Sequence, residues 1–247
     1  MPLTIPTHPA AALPFKLWRP RWFDGVALVT GTAAPDAGYV LAGIAEPAGH
    51  AWHALFWFDL PVAVLLALAL RRAAPHVAAH LPAGGPLALR DYAVLGRVRH
   101  PLAVTTWSAL LGAATHQIWD AVTHPGVLLL GAETRIAAMH VSTFAGLPWW
   151  RVCQLASESL GAIAALTLLV HIGRLRLLRR WHGDPPDVPR RPLRFWATAT
   201  AVFAVLVAAL PAVPGNEVGH WVVAARILAA AILAGLTGAA VAAAAQP

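Results

Sequence analysis

Charge is scarce in this chain of 247 residues. Asp, Glu, Lys and Arg together make up 12% of it, about half their share of an average soluble domain. That shortage argues against a soluble enzyme. The formal charge of +7 comes almost wholly from arginine. The arginines are clustered, which marks them as topology signals before nucleic-acid contacts, and no nucleic-acid partner is expected. Cysteine occurs once, as Cys153, which excludes an internal disulfide and any multi-cysteine zinc site. The N-terminus lacks a basic region followed by an apolar one, so no cleavable signal peptide is expected. Insertion then rests on the internal apolar segments. Internal repeats are missing too, and the alanine-rich tail is composition bias.

Apolar residues are abundant, at 58%, and their distribution predicts an all-α, polytopic transmembrane bundle. Residues 1–21 are rich in proline and alanine, and Thr7-His8-Pro9 reads as a helix start. A basic break follows at Lys16, Arg19 and Arg21. The next apolar piece, 22–34, is too short to span and stops at Ala34-Pro35-Asp36. The two pieces suggest a short-helix hairpin packed into the bundle. About five spans are expected after it: 52–70, 102–122, 152–169, 195–210 and 221–241, each near the ~20 residues that a bilayer requires. A short amphipathic helix is expected around 87–95. The chain divides into a site-bearing membrane part, 1–180, and a basic loop with a C-terminal hairpin, 181–247.

Arginine counts orient these spans. The connection 71–101 holds five arginines and 171–194 holds seven, whereas 125–151 holds two, Arg135 and Arg151, and 211–220 holds none. By the positive-inside rule the first two connections are cytoplasmic. The start of the first span, at His53, and the end of the second, at His116 to His124, then share the outer face. The expected location is the inner (cytoplasmic) membrane, crossed several times.

His116, Asp120 and His124 stand at i, i+4 and i+8, which places them on nearly one helix face. A polar trio in an apolar segment is costly unless paired or liganded. His8, Asp36 and His53 also lie at ends of apolar helices beside breakers or caps. Histidine with carboxylate suits zinc, manganese or iron. Blander roles stand beside each. His8 before Pro9 fits an interfacial residue, Asp36 after Pro35 fits a turn and cap, and His116 with Asp120 fits a hydrogen bond across one turn. Asp59 fits either a buried, paired carboxylate or a partner that orients ligands. Gln154, Ser157, Glu158 and Ser159 fit either a pocket lining or interhelix hydrogen bonds. His140 fits a surface position better than a ligand. His50, His76, His80, His100 and His182 fall in connections and receive no role. The eleven tryptophans suit an interfacial belt.

Thr7-His8-Pro9-Ala, Gly31-x-x-Ala-Pro35-Asp36, His53-x-x-Phe-x-Phe-Asp59-Leu-Pro61 and His116-x-x-Trp119-Asp120-x-x-Thr123-His124-Pro125 together resemble the bacterial membrane-protein family called domain of unknown function 4184. Order and spacing fit from the N-terminus to about residue 180. More distantly, the order His, Asp, His, His-x-x-x-Asp-x-x-x-His is similar to membrane-bound metal-dependent hydrolases and to the zinc-dependent phospholipase C and S1/P1 nuclease superfamily. That likeness implies metal ligation by His8, Asp36, His53, His116, Asp120 and His124. Two departures limit it. The soluble enzymes use an N-terminal tryptophan amine, where this chain has Met1-Pro2, and a later His-x-x-x-Glu, where His140 is followed by Phe144. One or two ions, zinc first, are therefore expected in place of three.

Three readings stand. The first is an integral-membrane, metal-dependent hydrolase acting at the outer face on a phosphoester or ester of a lipid-like substrate, with Asp59 or Glu158 orienting groups or moving protons. The second is a non-enzymatic membrane protein with a structural or transport metal site. The third is a bundle stitched by His–Asp hydrogen bonds without metal. The topology has its own test. Single cysteines placed near residues 50 and 120 of a Cys153→Ser background should react with a membrane-impermeant thiol reagent from the same side. Reaction from opposite sides would break the arginine-based orientation.

Overall fold

The computed structural model describes residues 7–45, 47, 49–124, 128–129, 132–133, 139 and 143–244. Pro125, Arg135 and His140 lie outside the described residues. The fold is nearly all-α. Its helices are α1 (Thr7–Trp18), α2 (Gly25–Ala33), α3 (Ala37–Val40), α4 (Leu60–Ala79), α5 (Leu102–Thr123), α6 (Trp149–Arg174), α7 (Leu177–His182), α8 (Pro192–Ala209) and α9 (His220–Ala244). A π-helical turn, Leu55–Asp59, leads into α4, and a 3₁₀ helix, Leu89–Gly96, occupies the place of the expected amphipathic helix. Two minimal antiparallel hairpins, Leu128–Leu129 with Ala132–Glu133 and Thr143–Phe144 with Leu147–Pro148, precede α6.

Three helical stretches are long and apolar enough to cross a membrane: Trp149–Arg174, Pro192–Ala212 and His220–Ala244. The other two of the five expected spans fall short for identifiable reasons. In α4 the apolar run ends at Arg71-Arg72, so Leu60 to Leu70 rises only about 16 Å, about half of the hydrocarbon thickness. The arginines do not end the helix, which continues through Pro75 to Ala79. In α5 the interruption is polar. Its buried face carries Thr105, Ser108, His116, Gln117, Asp120 and Thr123 beside Ala109, Gly112 and Ala113. Leu102, Trp107 and Ile118 point outward and are exposed. Polar-in and apolar-out is the reverse of a helix that packs in water.

The chain forms two compact units. One comprises Met1–Leu41, Ala45–Leu66 and His100–Leu168, and the other Ala42–Ile44, Ala67–Arg99 and Leu169–Pro247. They interleave along the sequence.

In the first unit, α2 and α5 pack backbone to backbone. A Cβ at Gly31 would fall on the Ala109 carbonyl oxygen, and one at Gly112 on the Leu28 carbonyl oxygen. Small residues that let helices approach this closely are a membrane-bundle device. Asp24 starts α2 by accepting from the Val26 and Ala27 amides at 3.1 and 3.2 Å, and it also accepts from Thr105 Oγ1 at 2.8 Å. The hydroxyl of Thr7 does not cap α1. It donates to the Ser157 carbonyl of α6 at 2.9 Å, and Trp119 Nε1 donates to Ser157 Oγ at 2.8 Å. One residue of α6 thus ties down the neighbours of His8 and Asp120.

The second unit has its own fastenings. Asp91, buried, accepts from Arg176 Nη1 at 3.0 Å and from Arg179 Nε at 2.7 Å. Arg226 reaches from α9 to Asn216 Oδ1 and to the Ala42 and Pro214 carbonyls at 2.6, 2.6 and 2.8 Å. α8 and α9 meet around Phe195, Ala239 and Ala242.

The α2–α5 contact predicts the outcome of filling it. Gly31→Ala or Gly112→Ala should destabilise the protein by about 1–3 kcal/mol through forced separation of the helices. Thermal unfolding in detergent checks this, and Gly84→Ala, where nothing lies within 4 Å, serves as the comparison.

Candidate metal centre

The polar face of α5 is built by spacing. His116, Asp120 and the helix-ending His124 follow one another turn by turn, and the His124 amide closes the helix on the Asp120 carbonyl at 2.9 Å. His116 is fixed first. Its Nδ1 lies 2.7 Å from the Thr32 carbonyl oxygen, which only accepts, so Nδ1 carries the hydrogen. When the ring is neutral, Nε2 presents its lone pair. A backbone carbonyl holding the far nitrogen of a ligand histidine is the usual orienting arrangement.

Around that lone pair stand atoms from two other segments. His50 Nε2 lies 3.3 Å from His116 Nε2. Asp36 Oδ1 is 3.4 Å from His50 Nε2 and 3.6 Å from His116 Nε2. Asp120 Oδ2 is 3.3 Å from His50 Nε2 and 3.2 Å from His116 Nε2. Four donor atoms thus have five separations between 3.2 and 3.6 Å. An ion held tetrahedrally at 2.0–2.1 Å requires edges of about 3.3–3.4 Å. Three of these atoms, His50 Nε2, His116 Nε2 and Asp120 Oδ2, lie 3.2–3.3 Å from one another and match one face of such a site.

Asp120 faces two ways. Oδ2 meets His50 and His116, while Oδ1 lies 3.2 Å from His124 Nδ1 and 3.5 Å from His8 Nε2. His8 stacks on His116 with ring centroids 3.8 Å apart. Two sets of ligand atoms lie within 4.8 Å of one another: His50, His116 and Asp120, and His8, Asp36 and His116. His124 stands one step out, its Nδ1 beside Asp120 and Thr123 Oγ1, its Nε2 buried without a hydrogen-bond partner among the described residues. His8, His116, Asp120 and His124 are buried, whereas the side chains of Asp36 and His50 are 31% and 20% exposed. The centre therefore opens at Asp36 and His50.

The structure brings together five of the six expected ligands: His8, Asp36, His116, Asp120 and, at the margin, His124. It does not bring His53. That side chain is exposed, and its Nδ1 accepts from Trp57 Nε1 at 3.0 Å. His50, given no role from sequence, occupies the cluster instead. They stand three positions apart, and the difference lies in the start of the helix. A helix from Trp52 would present His53 near its mouth. The chain instead remains in turns until Leu55, which turns His50 inward. Asp59 and Glu158 are in neither ligand set. Asp59 is fully buried and accepts from Gln117 Nε2 at 3.2 Å. Glu158 lies on α6, its Oε1 buried without a hydrogen-bond partner among the described residues. Tyr39, also unforeseen, packs its ring 5.3 Å from that of His50.

A model of one protein family matches residues 1–245, described as a domain of unknown function (DUF4184). The chain belongs to this family. The match takes in all of the centre and the two C-terminal apolar helices, beyond the motifs legible to about residue 180. No curated protein and no solved structure matches the chain.

The metal-free centre carries a proton where an ion would sit. Burial opposes charge on His50, but hydrogen bonds to Asp120 and Asp36 outweigh it and push its pKa up to about 10. Burial, with His116 beside it, pushes His8 down to about 3. Burial works against the Asp36 carboxylate too, yet His116 and His50 hold its pKa below the ordinary value. His50 therefore contributes stability to the metal-free protein that is complete below its ordinary pKa of 6.5 and is lost as pH rises through about 10. A divalent ion held there would have to displace that proton. Between about pH 6 and 8, zinc affinity should rise about tenfold per pH unit for each proton displaced. Calorimetric titration in buffers of different ionisation enthalpy should register its release.

Proposed function

We propose that this chain is an integral-membrane, metal-dependent hydrolase. His50, His116 and Asp120 would hold one divalent ion, and His8 and Asp36 with His116 would form the start of a second position. The observation that carries this is the trio of donor atoms from His50, His116 and Asp120, which lie 3.2–3.3 Å from one another. Imidazole and carboxylate without thiolate suit zinc, with manganese and iron as the other candidates. An ion in this position supplies Lewis-acid polarisation of an ester or phosphoryl oxygen and a nucleophile at neutral pH.

The chain's own residues supply the rest. Asp36 and His50, at the open edge, would meet the substrate first. Burial of His8, His116 and Asp120 keeps bulk water from the inner side. Glu158 is the remaining candidate proton carrier.

The polar-in, apolar-out character of α5 supports a place inside the bilayer for that helix, with α4 as a partly embedded span. Arginine distribution supports an outer-face opening in the inner (cytoplasmic) membrane of a bacterium. A centre at that depth favours a lipid-like phosphoester or ester. The likeness to membrane-bound metal-dependent hydrolases points the same way.

Burial of four of the six polar residues favours a second reading, a closed structural or transport site. A catalytic site keeps an open position, whereas a structural one is closed. Two measurements separate the readings. The detergent-purified wild type should hold one to two ions per chain by elemental analysis. Asp120→Ala and His50→Ala should lose at least about tenfold in affinity, while His53→Ala should match the wild type. Reconstituted protein should then hydrolyse one of a phosphomonoester, phosphodiester or carboxyl-ester lipid. Bound metal without turnover on any of them moves the assignment to the second reading, and a metal-free wild type removes both.

A further inference from the structure

His50 comes from a connection without regular structure, yet it lies between two carboxylates and a histidine. Something must fix that connection, and the contacts on either side of His50 show what does. Gln117 Nε2 lies 3.1 Å from the Gly49 carbonyl oxygen, 3.5 Å from the Ala51 carbonyl oxygen and 3.2 Å from Asp59 Oδ2. All three neighbours only accept. The amide must therefore turn its NH2 toward them, because the reversed amide would set an oxygen against three oxygens. Its two hydrogens suffice for one bond to Asp59 and one shared by the carbonyls that flank His50.

Opposition comes from the far side. A Cβ on Gly49 would stand 2.5 Å from the Pro35 carbonyl oxygen, so the connection runs against the residue that precedes Asp36. The backbone at 49–51 is held between Pro35 and Gln117. Each of those residues is the chain neighbour of a ligand, Asp36 or His116.

We propose that Gln117 is the positioning residue for His50, with Asp59 fixing the Gln117 amide for that task. The proposal rests on the metal-centre reading for its readout. It gives Asp59 a role in holding geometry in place of proton transfer. It also explains a buried glutamine and a buried carboxylate, which would be costly side by side in an apolar bundle without a task.

A double-mutant cycle tests it. Zinc affinity is measured on the full chain in detergent for wild type, Gln117→Leu, His50→Ala and the double variant. Gln117→Leu should lose about 10–100-fold, the range for losing a group that orients a ligand. On the His50→Ala background the same change should cost less than about twofold, because the residue it positions is gone. An equal loss on both backgrounds, or no loss on the wild type, overturns the proposal. Should Gln117→Leu fail to fold, Gln117→Glu keeps the volume while replacing the NH2 by an acceptor, and the same outcomes apply. If the wild type takes up no zinc, the metal reading fails separately. Hydrogen exchange of the metal-free protein then decides. Peptides covering 49–54 should exchange faster in the Gln117 variant while those of α2 stay unchanged, and unaltered exchange at 49–54 overturns it.

Discussion

A carboxylate that cannot leave the interior governs the first unit. Asp120 sits on the inward face of a helix whose outer face is leucine, tryptophan and isoleucine. Removing such a group from water is expensive, and only closely placed partners offset the cost. The structure supplies four imidazoles around its two oxygens, His50 and His116 on one, His8 and His124 on the other. His116 and His124 come with α5 itself, and the other two imidazoles must be brought in by other segments. α1 delivers His8 and is tied by Thr7 to α6. The connection before the π-helical turn delivers His50. α2 approaches α5 closely enough, through Gly31 and Gly112, for the Thr32 carbonyl to hold His116.

Much of this was legible in sequence because polar residues stand out in an apolar chain. The i, i+4, i+8 spacing at 116–124 identified a helix face, and breakers beside His8 and Asp36 identified the other contributing ends. The error at His53 has a physical origin. Hydrophobicity runs continuously from Trp52, so a pattern-based helix starts there. The backbone starts its α-helix only at Leu60, after a π-helical turn, and no side-chain periodicity records that delay. Gly49 was the available signal. A glycine beside a histidine marks a backbone pressed against something, here the Pro35 carbonyl.

The span count shows a different limit. Length and apolarity identify α6, α8 and α9 because those helices place few polar groups in their interiors. α5 fails such a criterion for the same reason that it is interesting. The polar residues that build the centre lower its mean hydropathy. α4 fails because two arginines interrupt a helix that nevertheless continues. Charge marks where a segment meets water or a partner; it does not mark where its backbone hydrogen bonds end. Asp91 could not be paired from sequence, since Arg176 and Arg179 lie more than eighty residues away.

The Thr7–Ser157 hydrogen bond spans 150 residues, which has a consequence for biosynthesis. His8 and Asp36 leave the ribosome long before α5 exists to receive them, and the fastening on α6 is made later still. During that interval His8 and Asp36 lack the α5 residues they meet in the folded chain.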